Sequence, residues 1–97
     1  MPQARLVLHT KYVDELEGIV EMKVYQVPRA MSTPHGYKYS LVYIYDGLRL
    51  VGYDNHERKG DDCHHRTLTT PYAFRSVDRL IDDFLFDVAA IKKEIAR

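Results

Sequence analysis

Between Tyr53 and Arg66 the sequence YDNHERKGDDCHHR gathers three of the chain's five histidines, its single cysteine and four acidic residues. Asp61, Asp62, Cys63, His64 and His65 offer five consecutive metal donors. In an extended chain neighbours point to opposite sides, so only alternate residues, Asp62 with His64 or Cys63 with His65, can share one ion. The spacing matches no paired Cys or His-x₃₋₅-His arrangement, and a solvated loop whose side chains bond nearby backbone is the preferred reading over a metal site. No metal and no cofactor are expected. Metal-free phosphodiester cleavage needs fewer parts: a base for the 2′-hydroxyl, an acid for the leaving oxygen and cations for the developing charge. Histidine titrates near neutrality and fills either proton-transfer role. Arg58, Lys59 and Arg66 supply cations.

A second polar cluster, TPHGYKY, places His35 before a strand that carries Lys38. Hairpin pairing predicts Lys38 opposite Asn55, which would bring both clusters to one cleft. Tyr37, Tyr39, Tyr43 and Tyr45 offer rings for stacking on bases, although a tyrosine-rich strand face under a helix more commonly belongs to the core. A nucleophilic Cys63 lacks an identifiable oxyanion donor.

These residues must be held by regular elements. Leu6, Leu8 and Tyr12 alternate with Arg5, His9 and Lys11, a period of two that predicts a strand. Asp14–Gly18 turns the chain, and pairing Val13 with Ile19 sets Lys11 opposite Glu21. Val27–Gly36 holds two prolines and a glycine and should cross irregularly. Asp46-Gly47 signals a tight hairpin. Folding about it pairs Tyr45 with Leu48, Tyr43 with Leu50 and Leu41 with Gly52, leaving Val42, Ile44, Val51 and Tyr53 on the other face. With both faces apolar, this pair belongs at the centre of a sheet or at an interface. Ser76 caps a helix expected from Val77 to about Ala96, with Val77, Leu80, Ile81, Phe84, Leu85, Val88, Ile91 and Ile95 in one stripe and Asp82, Asp83 and Asp87 mostly away from it. The expected fold is α+β: an antiparallel sheet of about four strands in two hairpins, with one long C-terminal helix on a face.

The 97 residues amount to one domain, with 45% hydrophobic and 29% charged residues, as in an ordinary globular chain. Fourteen basic residues balance fourteen acidic ones, so there is no net field to attract a polyanion and nucleic-acid binding would need a local basic patch. No stretch reaches the roughly 20 apolar residues of a membrane helix, and the first residues lack the apolar run of a signal peptide. A lone cysteine forms no internal disulfide. A cytoplasmic location without membrane contact is expected.

Taken in order, TPHGYKYSLVYIYDG, YDNHERKGD and PYAFRSVDRLIDDFLFDV resemble the TumE family of small bacterial toxin components of toxin–antitoxin modules, over roughly Ile19 to Val88. The shared pattern falls on His35, Gly36, Tyr37, Tyr39, Tyr53, Asp54, Asn55, Lys59, Gly60 and Asp61. Family members continue with His, a basic residue and His, where this chain has Asp62, Cys63 and His64, with His65 extra. The resemblance implies a bacterial cytosolic protein encoded beside an antitoxin, often a helix-turn-helix protein. Joined to the residue chemistry, it leads to the expectation of a toxin that cleaves or binds RNA without metal. His64, His35, Lys59 and Asp61 are the catalytic candidates: His64 and His35 for proton transfer, Lys59 on phosphate and Asp61 orienting a histidine. Arg58, Lys38, Asn55 and Tyr53 are the substrate-binding candidates. The rival expectation is a non-catalytic module that engages an antitoxin or a second copy of itself.

Overall fold

The computed structural model describes residues 4–55 and 60–96. Six strands, β1 (Arg5–Val13), β2 (Ile19–Gln26), β3 (Tyr37–Tyr45), β4 (Leu48–Asp54), β5 (Asp62–His65) and β6 (Leu68–Pro71), precede one helix, α1 (Val77–Ile95). The strands form a single antiparallel sheet in chain order. The α+β class with a C-terminal helix is as the sequence predicts, but the sheet has six strands, not four. Residues 62–71 look polar because one face of β5 carries Asp62 and His64. The β5–β6 turn also lacks a glycine, Arg66 adopting φ +56° in its place.

The first hairpin follows the predicted register from Val13↔Ile19 through Leu8↔Val24, with Lys11 opposite Glu21. Its turn is organised by Asp14, whose Oδ1 accepts from the Leu16 and Gly18 amides at 2.9 and 2.8 Å. Oδ2 accepts from the Tyr43 hydroxyl at 2.7 Å and lies 3.4 Å from Lys92 Nζ. A methyl group at Gly18 would overlap that hydroxyl, so only glycine lets the turn close over Tyr43.

In the second hairpin Asp46 and Gly47 take φ +53° and +76°, as a type I′ turn requires. Tyr45↔Leu48 pairs as predicted, but a bulge between Tyr43 and Ile44 moves the rest by one residue, giving Tyr43↔Val51 and Leu41↔Tyr53 instead of partners Leu50 and Gly52. An extra residue in one strand exchanges the faces beyond it. Val51 and Tyr53 therefore join Leu41 and Tyr43 inside. The same shift sets Ser40 opposite Asp54 and brings Asn55 beside Tyr39, whose amide it accepts from, so the expected Lys38–Asn55 juxtaposition does not form.

The helix covers one sheet face. Val20, Val24, Tyr39, Leu41, Tyr43, Val51, Tyr53 and Cys63 pack there with Leu80, Phe84, Val88 and Ile91. Ser76 Oγ accepts from the Arg79 amide at 3.1 Å and caps α1, as predicted. Leu85, expected in the stripe, is exposed. Asp83 and Asp87, expected away from it, reach back to accept from Tyr72 Oη at 2.6 Å and from Tyr53 Oη. No helix covers the opposite sheet face among the described residues. Among the described residues no helix is long and apolar enough to cross a membrane.

Candidate functional site

Strand alternation divides the polar residues between the two faces. Tyr53 and His65 both reach Asp87 of α1, so Asp54, Asp62 and His64 point to the helix-free side. His35 lies on the helix side, its ring stacked on Phe74 with centroids 3.9 Å apart. The one cleft expected from the sequence is thus three separate groups.

The first group surrounds His35, in the turn before β3. Its Nδ1 accepts from the Tyr37 amide at 3.2 Å, which leaves the proton on Nε2 to be donated to Asp61 Oδ2 at 2.9 Å. The Tyr39 hydroxyl donates to the same oxygen at 2.5 Å. Burial, and then the bond to Asp61, push the Tyr39 hydroxyl far above the usual tyrosine range, so it remains a donor. Asp61 thereby holds the imidazole in one tautomer and one orientation. Beside the ring runs a groove of about 420 Å³, lined by Arg29, His35, Tyr37, Phe74, Arg75 and the start of α1 including Asp78. Both arginines are exposed. The expectations had not included Arg29 or Arg75: they lie in an irregular connector and before a helix cap, and only folding brings them to His35.

Asn55 is buried beside this group. Its Oδ1 accepts from the Tyr39 amide at 2.9 Å and its Nδ2 donates to the Tyr37 carbonyl at 2.7 Å, continuing the β3–β4 ladder where backbone pairing stops. Lys38 is exposed on the helix-free face. Arg58 and Lys59 lie outside the described residues.

The second group is on the helix-free face. His64 Nδ1 lies 2.9 Å from Thr69 Oγ1. Nε2 is 3.2 Å from Asp54 Oδ2, close enough for charge attraction but out of line for a hydrogen bond, and this buried atom has no hydrogen-bond partner among the described residues. Arg49 approaches Asp54 at 3.9 Å. Gly52 leaves room for the Arg49 side chain, since a Cβ there would stand 3.1 Å from Arg49 Cδ, while His64 Cδ2 at 3.5 Å would be in ordinary contact. Donor atoms of Asp54, Asp62 and His64 all lie within 4.8 Å of one another.

The third group sits where β5 meets α1. Cys63 Sγ is 3.6 Å from His65 Nδ1, and His65 Nε2 is 2.8 Å from Asp87 Oδ2, which also accepts from the Tyr53 hydroxyl. Burial, and then the Asp87 bond, raise the Tyr53 hydroxyl far above its usual range. Burial also pushes the Cys63 thiol up, against the lowering effect of a bond from Tyr53. Donor atoms of Cys63, His65 and Asp87 likewise fall within 4.8 Å of one another. Sequence spacing shows the Cys63/His65 and Asp62/His64 pairs, but not the third donors: Asp54 comes from the neighbouring strand β4 and Asp87 from α1.

No curated protein and no solved structure matches the chain. The model of the family described as Toxin TumE matches residues 2–93. With nearly its whole length covered, the chain belongs to the TumE toxin family.

Proposed function

We propose that this chain is the toxin of a toxin–antitoxin pair and acts on RNA without metal, with the phosphodiester lying in the groove between His35 and the start of α1. The observation that carries this reading is the Asp61-oriented His35 beside two exposed arginines. Arg29 and Arg75 would hold the phosphate and stabilise charge on the phosphorane, outweighing the single Asp78 at the groove wall. His35 would take the 2′-hydroxyl proton on Nδ1 as that oxygen attacks phosphorus, and return it to the 5′-oxygen as the P–O5′ bond breaks, with Asp61 stabilising the imidazolium in between and the Tyr37 amide yielding Nδ1 when substrate enters. Tyr37 and Phe74 offer half-buried rings against which a base can stack. His64 lies across the sheet from this groove and takes no part in the step.

His35→Gln, Arg29→Ala with Arg75→Ala, and His64→Ala separate the alternatives when tested for RNA cleavage, growth arrest and melting temperature. His35→Gln is expected to lower cleavage by roughly 10²–10⁴-fold. The arginine pair should lower it with little change in melting temperature, because both side chains are exposed. His64→Ala should remain active in the presence of a chelator. Full cleavage by folded His35→Gln and by the arginine variant, or loss of cleavage on chelation in protein that keeps its melting temperature, overturns the reading.

A second reading, a module that acts through antitoxin binding alone, is favoured by the edge strand β1, which exposes Leu6, Val7 and Val13. Under it all three variants retain growth arrest and antitoxin binding.

A further inference from the structure

We infer that Cys63, His65 and Asp87 form a binding site for one zinc-class cation, which ties β5 to α1. The set combines a sulfur, an imidazole nitrogen and a carboxylate oxygen, the donors zinc takes from proteins. Nε2 of His65 stands 3.9 Å from Cys63 Sγ and 2.8 Å from Asp87 Oδ2. A tetrahedral zinc with ordinary bond lengths needs separations of about 3.6 and about 3.4 Å. One distance is about 0.3 Å too long and the other about 0.6 Å too short, so the His65 ring has to move toward Cys63 and away from Asp87 by somewhat more than half an ångström. That ring is free to do so, its side chain being 42% exposed.

The donors differ in burial as a three-ligand site requires. Cys63 is 5% exposed and lies at the floor. Asp87 accepts the Tyr53 hydroxyl on the same Oδ2 that faces His65, a bond that fixes the orientation of the carboxylate as outer partners of metal ligands do. His65 closes the solvent side, leaving a fourth position for water. The charge is also suited to a cation: Asp87 has no Lys or Arg ion-pair partner among the described residues, and its one cationic neighbour is the titratable His65. Cysteine ligates zinc as the thiolate, so the Cys63 proton has to leave when the ion binds. Binding would then put a divalent charge against two negative donors. The burial of Cys63 disfavours a nucleophilic Cys–His–Asp reading, in which the sulfur would have to meet a substrate.

Cobalt(II) provides the probe, because sulfur-to-cobalt charge transfer reports thiolate ligation directly. Chelator-treated full-length protein, titrated with cobalt chloride, is expected to take up one equivalent with charge-transfer absorption and the intense visible bands of tetrahedral cobalt, all removed by zinc. Cys63→Ser should lose the charge-transfer absorption. Because Cys63 packs in the core, His65→Gln serves as the second variant: it is partly exposed, should keep the far-ultraviolet circular dichroism, and is expected to weaken cobalt binding at least about tenfold. Asp54→Asn and His64→Gln should leave both spectrum and affinity unchanged. Absence of cobalt uptake, uptake without sulfur absorption, or uptake lost in His64→Gln and kept in His65→Gln would each overturn the proposal.

Discussion

Asn55 illustrates how a residue that reads as a substrate contact can be occupied by the fold. Both ends of its amide bond to β3, and only 2% of the residue is exposed. Asn55→Ala would leave the Tyr39 amide and the Tyr37 carbonyl buried without these partners, at a cost of about 1–3 kcal/mol. The expected outcome is a lower denaturation midpoint at unchanged denaturant dependence. A variant as stable as the parent but impaired on RNA would return Asn55 to substrate contact. The histidines part in the same way: His35 and Asp61 meet, whereas adjacent His64 and His65 serve opposite faces because the chain between them is extended.

Among the elements, the β1–β2 turn ties sheet to helix through one carboxylate. Burial alone would raise the Asp14 pKa, but bonds from Tyr43, Gly18 and Leu16, with Lys92 close by, outweigh it and hold it below the usual carboxylate value. A carboxyl lowered by folding contributes stability that is present above its unfolded pKa and lost as pH falls through its folded one. Acid unfolding should therefore steepen below about pH 5, and Asp14→Asn should flatten that limb while lowering stability at neutral pH. Equal acid sensitivity in parent and variant would remove Asp14 from the account. Glu21 and Asp83 are lowered too, by bonds from His9 and Tyr72 respectively, so part of the acid limb should persist.

Over the whole molecule, α1 covers the middle of the sheet and leaves β1 as an uncovered edge. Leu6 and Val13 are 60% and 65% exposed, and an edge strand presents unpaired backbone groups to a partner chain. Substituting both by Lys should change stability by no more than about 0.5 kcal/mol per site, as for other surface positions. The same double variant is expected to weaken antitoxin binding by at least about tenfold in a calorimetric titration. Unchanged affinity would place the partner surface elsewhere.

Much of this architecture is legible in the chain because it depends on local rules. Alternation predicts β1 and β2, the Asp46-Gly47 turn signal predicts the hairpin of β3 and β4, and Ser76 with a helical apolar stripe predicts α1. Family membership is legible as well, in ordered motifs that recur along most of the chain. What folding alone decides is of two kinds. A one-residue bulge at Leu50 turns Val51 and Tyr53 inward, and no local preference announces it because Leu50, Val51 and Tyr53 suit either face. Site partners also come from far along the chain: Asp61 to His35 across 26 residues and Asp87 to His65 across 22. Periodicity specifies which face a residue occupies within its own element, whereas which elements face each other is set by packing the helix across the finished sheet.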